Sequence, residues 1–117
     1  DGEVRGEAAL SFIDLEDRRA IRPLITLGLV DAANVVRLNS AYALSTFDSS
    51  AGEGVLVWFL WEQNLASYRQ RAVSGLANIR SRSVIQHLQR ALSDWDDIVR
   101  DTAFYALRNK WGYNITQ

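Results

Sequence analysis

Four segments of this chain superpose without a gap, and each carries an arginine at its second position. The arginines are Arg5, Arg37, Arg69 and Arg100, spaced 32, 32 and 31 residues apart. Three residues further on stand Ala8, Ser40, Ala72 and Ala103; six on, Ser11, Ala43, Gly75 and Ala106; seven on, Phe12, Leu44, Leu76 and Leu107. Offsets of three, six and seven fall on one face of a helix. Small residues at two of them let a neighbouring backbone approach, and the large apolar one fills the layer between. A fixed period of this length means one supersecondary unit stacked on copies of itself, each touching only its neighbours.

Three further helical stretches lie between these segments, roughly 19–30, 53–66 and 83–95, with apolar residues at three- and four-residue spacing. Each repeat is therefore a helical hairpin. Pro23, the sole proline, falls near the start of the first of these helices, where a missing amide matters least. Asp31 and Asp94 each stand six residues before a repeat arginine. That position is the turn of a hairpin, where an aspartate caps the next helix or accepts from an arginine. Arg5, Arg37, Arg69 and Arg100, with Asp31 and Asp94, read as a structural ladder.

An arginine-bearing second helix, a turn aspartate six residues earlier and a period near 31 resemble short HEAT-like repeats of the phycobilisome-lyase type. The stretch Asp17 to Ile25, with Asp31, Val36, Arg37, Ala41 and Leu44, carries the likeness best. The resemblance implies an all-α, right-handed α-α superhelix of the armadillo-like kind, with second helices lining a concave face. It is nearly silent on activity, since such repeats occur in lyases, adaptors and immunity proteins alike. Residues 1–117 read as one repeat domain of about three and a half hairpins. The chain opens on a second helix and contains no methionine, which suggests a piece of something longer. An uncapped end would expose apolar surface and invite a homo-oligomer.

The remaining composition narrows the chemistry. With no cysteine and one histidine, His87, there is no thiol nucleophile and no pair of imidazoles for a metal. The longest uninterrupted apolar run, Val55 to Trp61, is far shorter than the roughly 20 residues of a membrane span. No basic stretch followed by an apolar run opens the chain, so a cytoplasmic location is expected. The net charge of -1 argues against a general phosphate binder. Yet residues 63–93 hold five arginines, Arg69, Arg71, Arg80, Arg82 and Arg90, and no acid, which leaves binding of nucleic acid or another polyanion as an alternative, less favoured than a solvated surface. Asp94, Asp96 and Asp97 lack the glycine turn and closing glutamate of a calcium loop, and helix capping explains them better. His87 aligns with Leu24 and is expected to be packed or hydrogen-bonded. Asn114-Ile115-Thr116 matches the glycosylation triplet, a pattern common by chance.

No catalytic constellation, metal site or cofactor site is defensible, so a non-catalytic scaffold that binds another protein is the expected function. A lyase-like activity, the alternative carried by the resemblance, would need a pocket lined by Trp95 or Trp111 and an acid. Positions one, two and five after each repeat arginine are expected to point away from the packed layer. They are Gly6, Glu7 and Leu10; Leu38, Asn39 and Tyr42; Gln70, Arg71 and Ser74; Asp101, Thr102 and Tyr105. Tyr42, Arg71 and Tyr105 are the types enriched at interface hot spots, with Leu38, Asn39, Gln70 and Asp101 around them. A second candidate interface lies on the opposite, convex side. Aligned through the arginine, Val55, Trp58 and Phe59 fall opposite the polar Gln86, Gln89 and Arg90, so these three are expected to form an exposed apolar patch.

Overall fold

The computed structural model describes residues 1–113, and the triplet at 114–116 lies outside them. Among the described residues every regular element is helical. The second helices of the repeats are α1 (Gly2–Leu15), α3 (Asn34–Thr46), α5 (Ala66–Asn78) and α7 (Asp97–Trp111). The first helices are the composite α2, α4 (Glu53–Glu62) and α6 (Ile85–Ala91), the last entered through a 3-10 turn at Arg82–Val84. Composite α2 runs from a 3-10 turn (Arg18–Ala20) through one α turn (Ile21–Pro23) into a π-helical stretch (Leu24–Gly28). α1 packs on α3, α3 on α5 and α5 on α7, while α2, α4 and α6 pack on the second helices that follow them. Two layers of helices thus stack along one direction, giving an outline of 42 × 27 × 21 Å.

Local chemistry sets the helix ends. Asp96 caps α7 by accepting from the Val99 amide at 3.0 Å, and Gly112, at φ 69°, closes it in the left-handed conformation that glycine adopts without a Cβ clash. The first helices stop sooner than periodicity suggests, at Glu62 and Ala91. After α4, Gln63 is extended, and the turns that follow both helices leave carbonyls free for the repeat arginines.

The core is built from the offsets that repeat. Leu76, Leu107, Ala72 and Ala103 are buried with Leu56, Leu60, Val73 and Leu88, and a smaller cluster of Ala9, Leu24, Leu44 and Phe47 joins α1, α2 and α3. At Gly28 the first helix touches α3 so closely that a Cβ would lie 2.1 Å from Ser40 Oγ and 2.6 Å from Ser40 Cβ. Gly28→Ala is therefore expected to force α2 off α3 and destabilise the fold by about 1–3 kcal/mol, read as a lowered urea midpoint.

The expected exposure of Phe59 is corrected here. Phe59 is fully buried, in edge-on contact with Tyr68 at 5.9 Å between ring centroids, whereas Trp58 is 45% exposed and Val55 is half-buried. The cause is the short fourth repeat. Buried Ala20 and Leu24, and buried Gly52 and Leu56, stand 17 and 13 residues before their arginines; the corresponding Val84 and Leu88 stand 16 and 12 before theirs. The missing residue lies between α6 and Arg100, so an alignment carried through the arginine misplaces α6 by one position. Restored, the register sets Phe59 opposite buried Ala91, Trp58 opposite exposed Arg90, and Leu88 rather than His87 opposite Leu24. His87 is half-buried at the layer surface, where its Nδ1 accepts from Trp61 Nε1 at 3.1 Å. The Arg90 guanidinium lies 3.9 Å from the Trp61 ring, so α4 and α6 are joined by a cation–π stack as well as by the core.

Candidate functional site

The repeat arginines hold the second helices in place and thereby set every surface built on them. Each internal arginine turns back to the carbonyl six residues earlier: Arg37 to Asp31 O at 2.7 Å, Arg69 to Gln63 O at 3.0 Å and Arg100 to Asp94 O at 2.7 Å. Two of the four also reach forward to the next turn. Arg5 donates Nε to Asp31 Oδ2 at 2.8 Å and NH2 to Oδ1 at 3.1 Å, and Arg69 grips Asp94 in the same two-pronged way at 3.0 and 3.1 Å. In the equivalent place after Arg37 the sequence has Gln63, and Arg37 instead donates to the side chain of Asn34.

Asp31 also accepts from the Ala33 amide, and its hydrogen bonds with Arg5 and that amide hold its pKa at about 2, below the ordinary 3.8. A lowered folded-state pKa means the ionised carboxylate adds stability above pH 4, and that stability fades as the pH falls toward 2. The difference in thermal midpoint between the native chain and Asp31→Asn is expected to shrink steadily across that window. A difference that stays constant from pH 5 to 2 would contradict the pairing.

A second chain of contacts runs through Asn39 and Arg71, each two residues after a repeat arginine. Asn39 Nδ2 donates to the Gly6 carbonyl at 3.2 Å, and Asn39 Oδ1 accepts from Arg71 NH1 at 2.8 Å, linking α1, α3 and α5. The Arg71 guanidinium lies 5.5 Å from the centre of the Tyr42 ring, and Gln70 Nε2 donates to Asp96 Oδ2 at 3.1 Å. Two adjoining clefts open on this face. One, of about 360 Å³, is lined by Tyr42, Ser67, Gln70, Arg71, Ser74 and Ile98; the other, of about 320 Å³, shares Ser67 and Arg71 and adds Leu10, Val35, Leu38, Asn39 and Tyr68.

Tyr42, Gln70 and Arg71 are thus brought together. Leu38 and Asn39 reach the second cleft as parts of its floor: both are buried, which corrects their expected exposure. Position one after the arginine turns inward in the first half of the molecule: Gly6 is buried against Val35 and Asn39 of α3, and Leu38 is buried in the core shared with α4 and α5. Asp101 and Tyr105 are exposed on α7 and line neither cleft. Ser67, Val35 and Ile98, absent from the sequence-based set, all stand two residues before an arginine. Offsets of minus two, plus two and plus five are successive steps along one helical stripe, so extending the stripe one turn toward the N-terminus would have found them.

The five arginines of residues 63–93 do not converge. Arg69 belongs to the ladder, Arg71 to the clefts and Arg90 to Trp61, while Arg80 lines a separate depression with Asp48, Asn78 and Lys110, and Arg82 is exposed on the 3-10 turn that enters α6. Asp94 accepts from Arg69 and the Asp96 amide, and Asp96 caps α7 and accepts from Gln70. Trp95 is 97% exposed, and Trp111 packs against the core.

Set against known families, residues 21–108 match the HEAT repeats. The chain belongs to the HEAT-repeat family. That match covers most of the length and agrees with the stacked helical hairpins just described; it specifies no subtype, and HEAT repeats generally mediate contacts between proteins. No curated protein matches the chain. Among the described residues of this HEAT protein, no helix is long and apolar enough to cross a membrane.

Proposed function

We propose that this HEAT protein is a non-catalytic scaffold that binds a partner protein on the concave face formed by α3, α5 and α7. The observation that carries the reading is the convergence of Tyr42, Gln70 and Arg71, with Ser67, Ser74 and Ile98, around one preformed cleft. An aromatic ring, an arginine and several hydroxyl and amide groups around a concave surface are what a protein hot spot uses. A panel of cysteine variants carrying a small fluorophore tests it once a partner is captured. Quenching on partner addition is expected at positions 67, 74 and 98 and not at 58. Quenching at 58 alone would move the interface to the other layer.

One observation favours a second reading, self-association through the N-terminal end. α1 and α2 enclose an apolar groove of about 200 Å³, lined by Ala8, Phe12, Pro23 and the exposed Leu27 among others. Light scattering over a concentration series checks it. A mass that rises above 13.2 kDa and returns to that of the monomer in Leu27→Glu supports the reading; a monomer throughout removes it.

A further inference from the structure

Arg71 is the one cation among the described residues that lines both clefts. Among the described residues, no carboxylate pairs with it, although ion pairs engage Arg5, Arg19 and Arg69. Its one hydrogen bond goes to the neutral Asn39 Oδ1, through a single NH1 donor. A guanidinium offers five donors in a planar fork, so most of this one faces the clefts unused. The fork is held from two sides, by Asn39 and by the Tyr42 ring, so little rotamer freedom is left to lose on binding.

The rest of the lining sharpens the argument. Neither cleft contains an acidic residue, and the first offers hydroxyl and amide groups from Tyr42, Ser67, Gln70 and Ser74. The helices that flank the clefts expose acids in their first two turns: Glu3 and Glu7 on α1, and Asp97 and Asp101 on α7. A polyanion laid across this face would meet repulsion at both ends, whereas a short segment with one central acid would meet the lone cation and neutral donors. We propose, as a deepening that rests on the concave-face reading above, that the clefts take an extended protein segment anchored by one aspartate or glutamate carboxylate on Arg71. The carboxylate accepts from the free edge of the guanidinium, and flanking side chains occupy the second cleft over Leu38 and Val35.

The test is a random nonapeptide display library panned on the native 117-residue chain and, in parallel, on Ser74→Trp, which fills the first cleft. Clones lost on Ser74→Trp are expected to share an acid at one fixed position. As free peptides, they are expected to bind about tenfold more weakly when that acid becomes its amide. Arg71→Gln is expected to weaken the acidic peptide equally and to leave the amide peptide unchanged, so that the two changes do not add. Arg71→Lys, which keeps the charge but not the fork, is expected to fall between, and equal urea midpoints show that the variants are folded. Cleft-dependent clones with no acid preference, or losses that simply add, would overturn the carboxylate anchor while leaving the concave-face reading intact. Clones that bind Ser74→Trp undiminished, or no clones at all, would overturn both. Displacement of the peptides by a single-stranded oligonucleotide, with affinity falling steeply in salt, would assign the face to a polyanion instead.

Discussion

Phe59→Ala is expected to lower the stability of the fold by about 3–5 kcal/mol, while Trp58→Gln, one residue earlier, is expected to shift it by less than about 1.5 kcal/mol. Phe59 is fully buried between α4 and α5, so truncation loses the whole transfer energy of the ring and opens a cavity its neighbours cannot close. Leu56, seated against Gly75 so closely that no Cβ would fit between them, could fill the gap only by opening a void there. Trp58 is 45% exposed and forfeits mainly an edge contact with Phe59 at 5.0 Å. Urea denaturation of both variants decides the matter. Equal losses at 58 and 59 would mean that the restored register of the first-helix layer is wrong.

Arg69→Ala is expected to be the next largest loss, of the order of 3 kcal/mol, and clearly larger than that of Arg5→Ala. Both arginines grip an aspartate with two prongs, but their surroundings differ. The side chains of Arg69 and Asp94 are 14% and 12% exposed, whereas that of Arg5 is 51% exposed. Removing Arg69 leaves Asp94 with a half-buried charge and strands the carbonyls of Gln63 and Asn64. Gln63→Asp probes the same ladder from the other side. It sets a carboxylate before Arg37, where the pattern lacks one, and is expected to raise the thermal midpoint by a degree or two. A lowered midpoint would show that the third turn does not share the geometry of the second and fourth.

The fold was legible in the sequence because its physical cause is periodic. Small and large side chains at fixed distances from an arginine dictate stacked hairpins, whatever each loop does. Where the period slips by one residue, the reading slipped with it: the register loss between Ala91 and Arg100 exchanged the roles of His87 and Leu88 and turned Phe59 outward on paper. The π-helical stretch at Leu24–Gly28, whose last residue meets Ser40 across the layer, has no comparable signal. The site was legible in part for the same reason. Tyr42, Gln70 and Arg71 stand out by residue type on one stripe, but Asn39 and Leu38 are claimed by contacts between α1, α3 and α5 that only the assembled stack defines. Ser67 and Ile98 were missed because the stripe was begun one turn too late, at the arginine rather than before it.

The most direct measurement of the central claim is amide and side-chain chemical-shift mapping of the native chain, titrated with a cleft-selected peptide. The account expects shifts to concentrate at Tyr42, Ser67, Gln70, Arg71, Ser74 and Ile98, with Leu27 and Trp58 unmoved. Shifts clustered at Leu27 or Trp58, with Arg71 and Tyr42 still, would contradict a binding face made by the second helices.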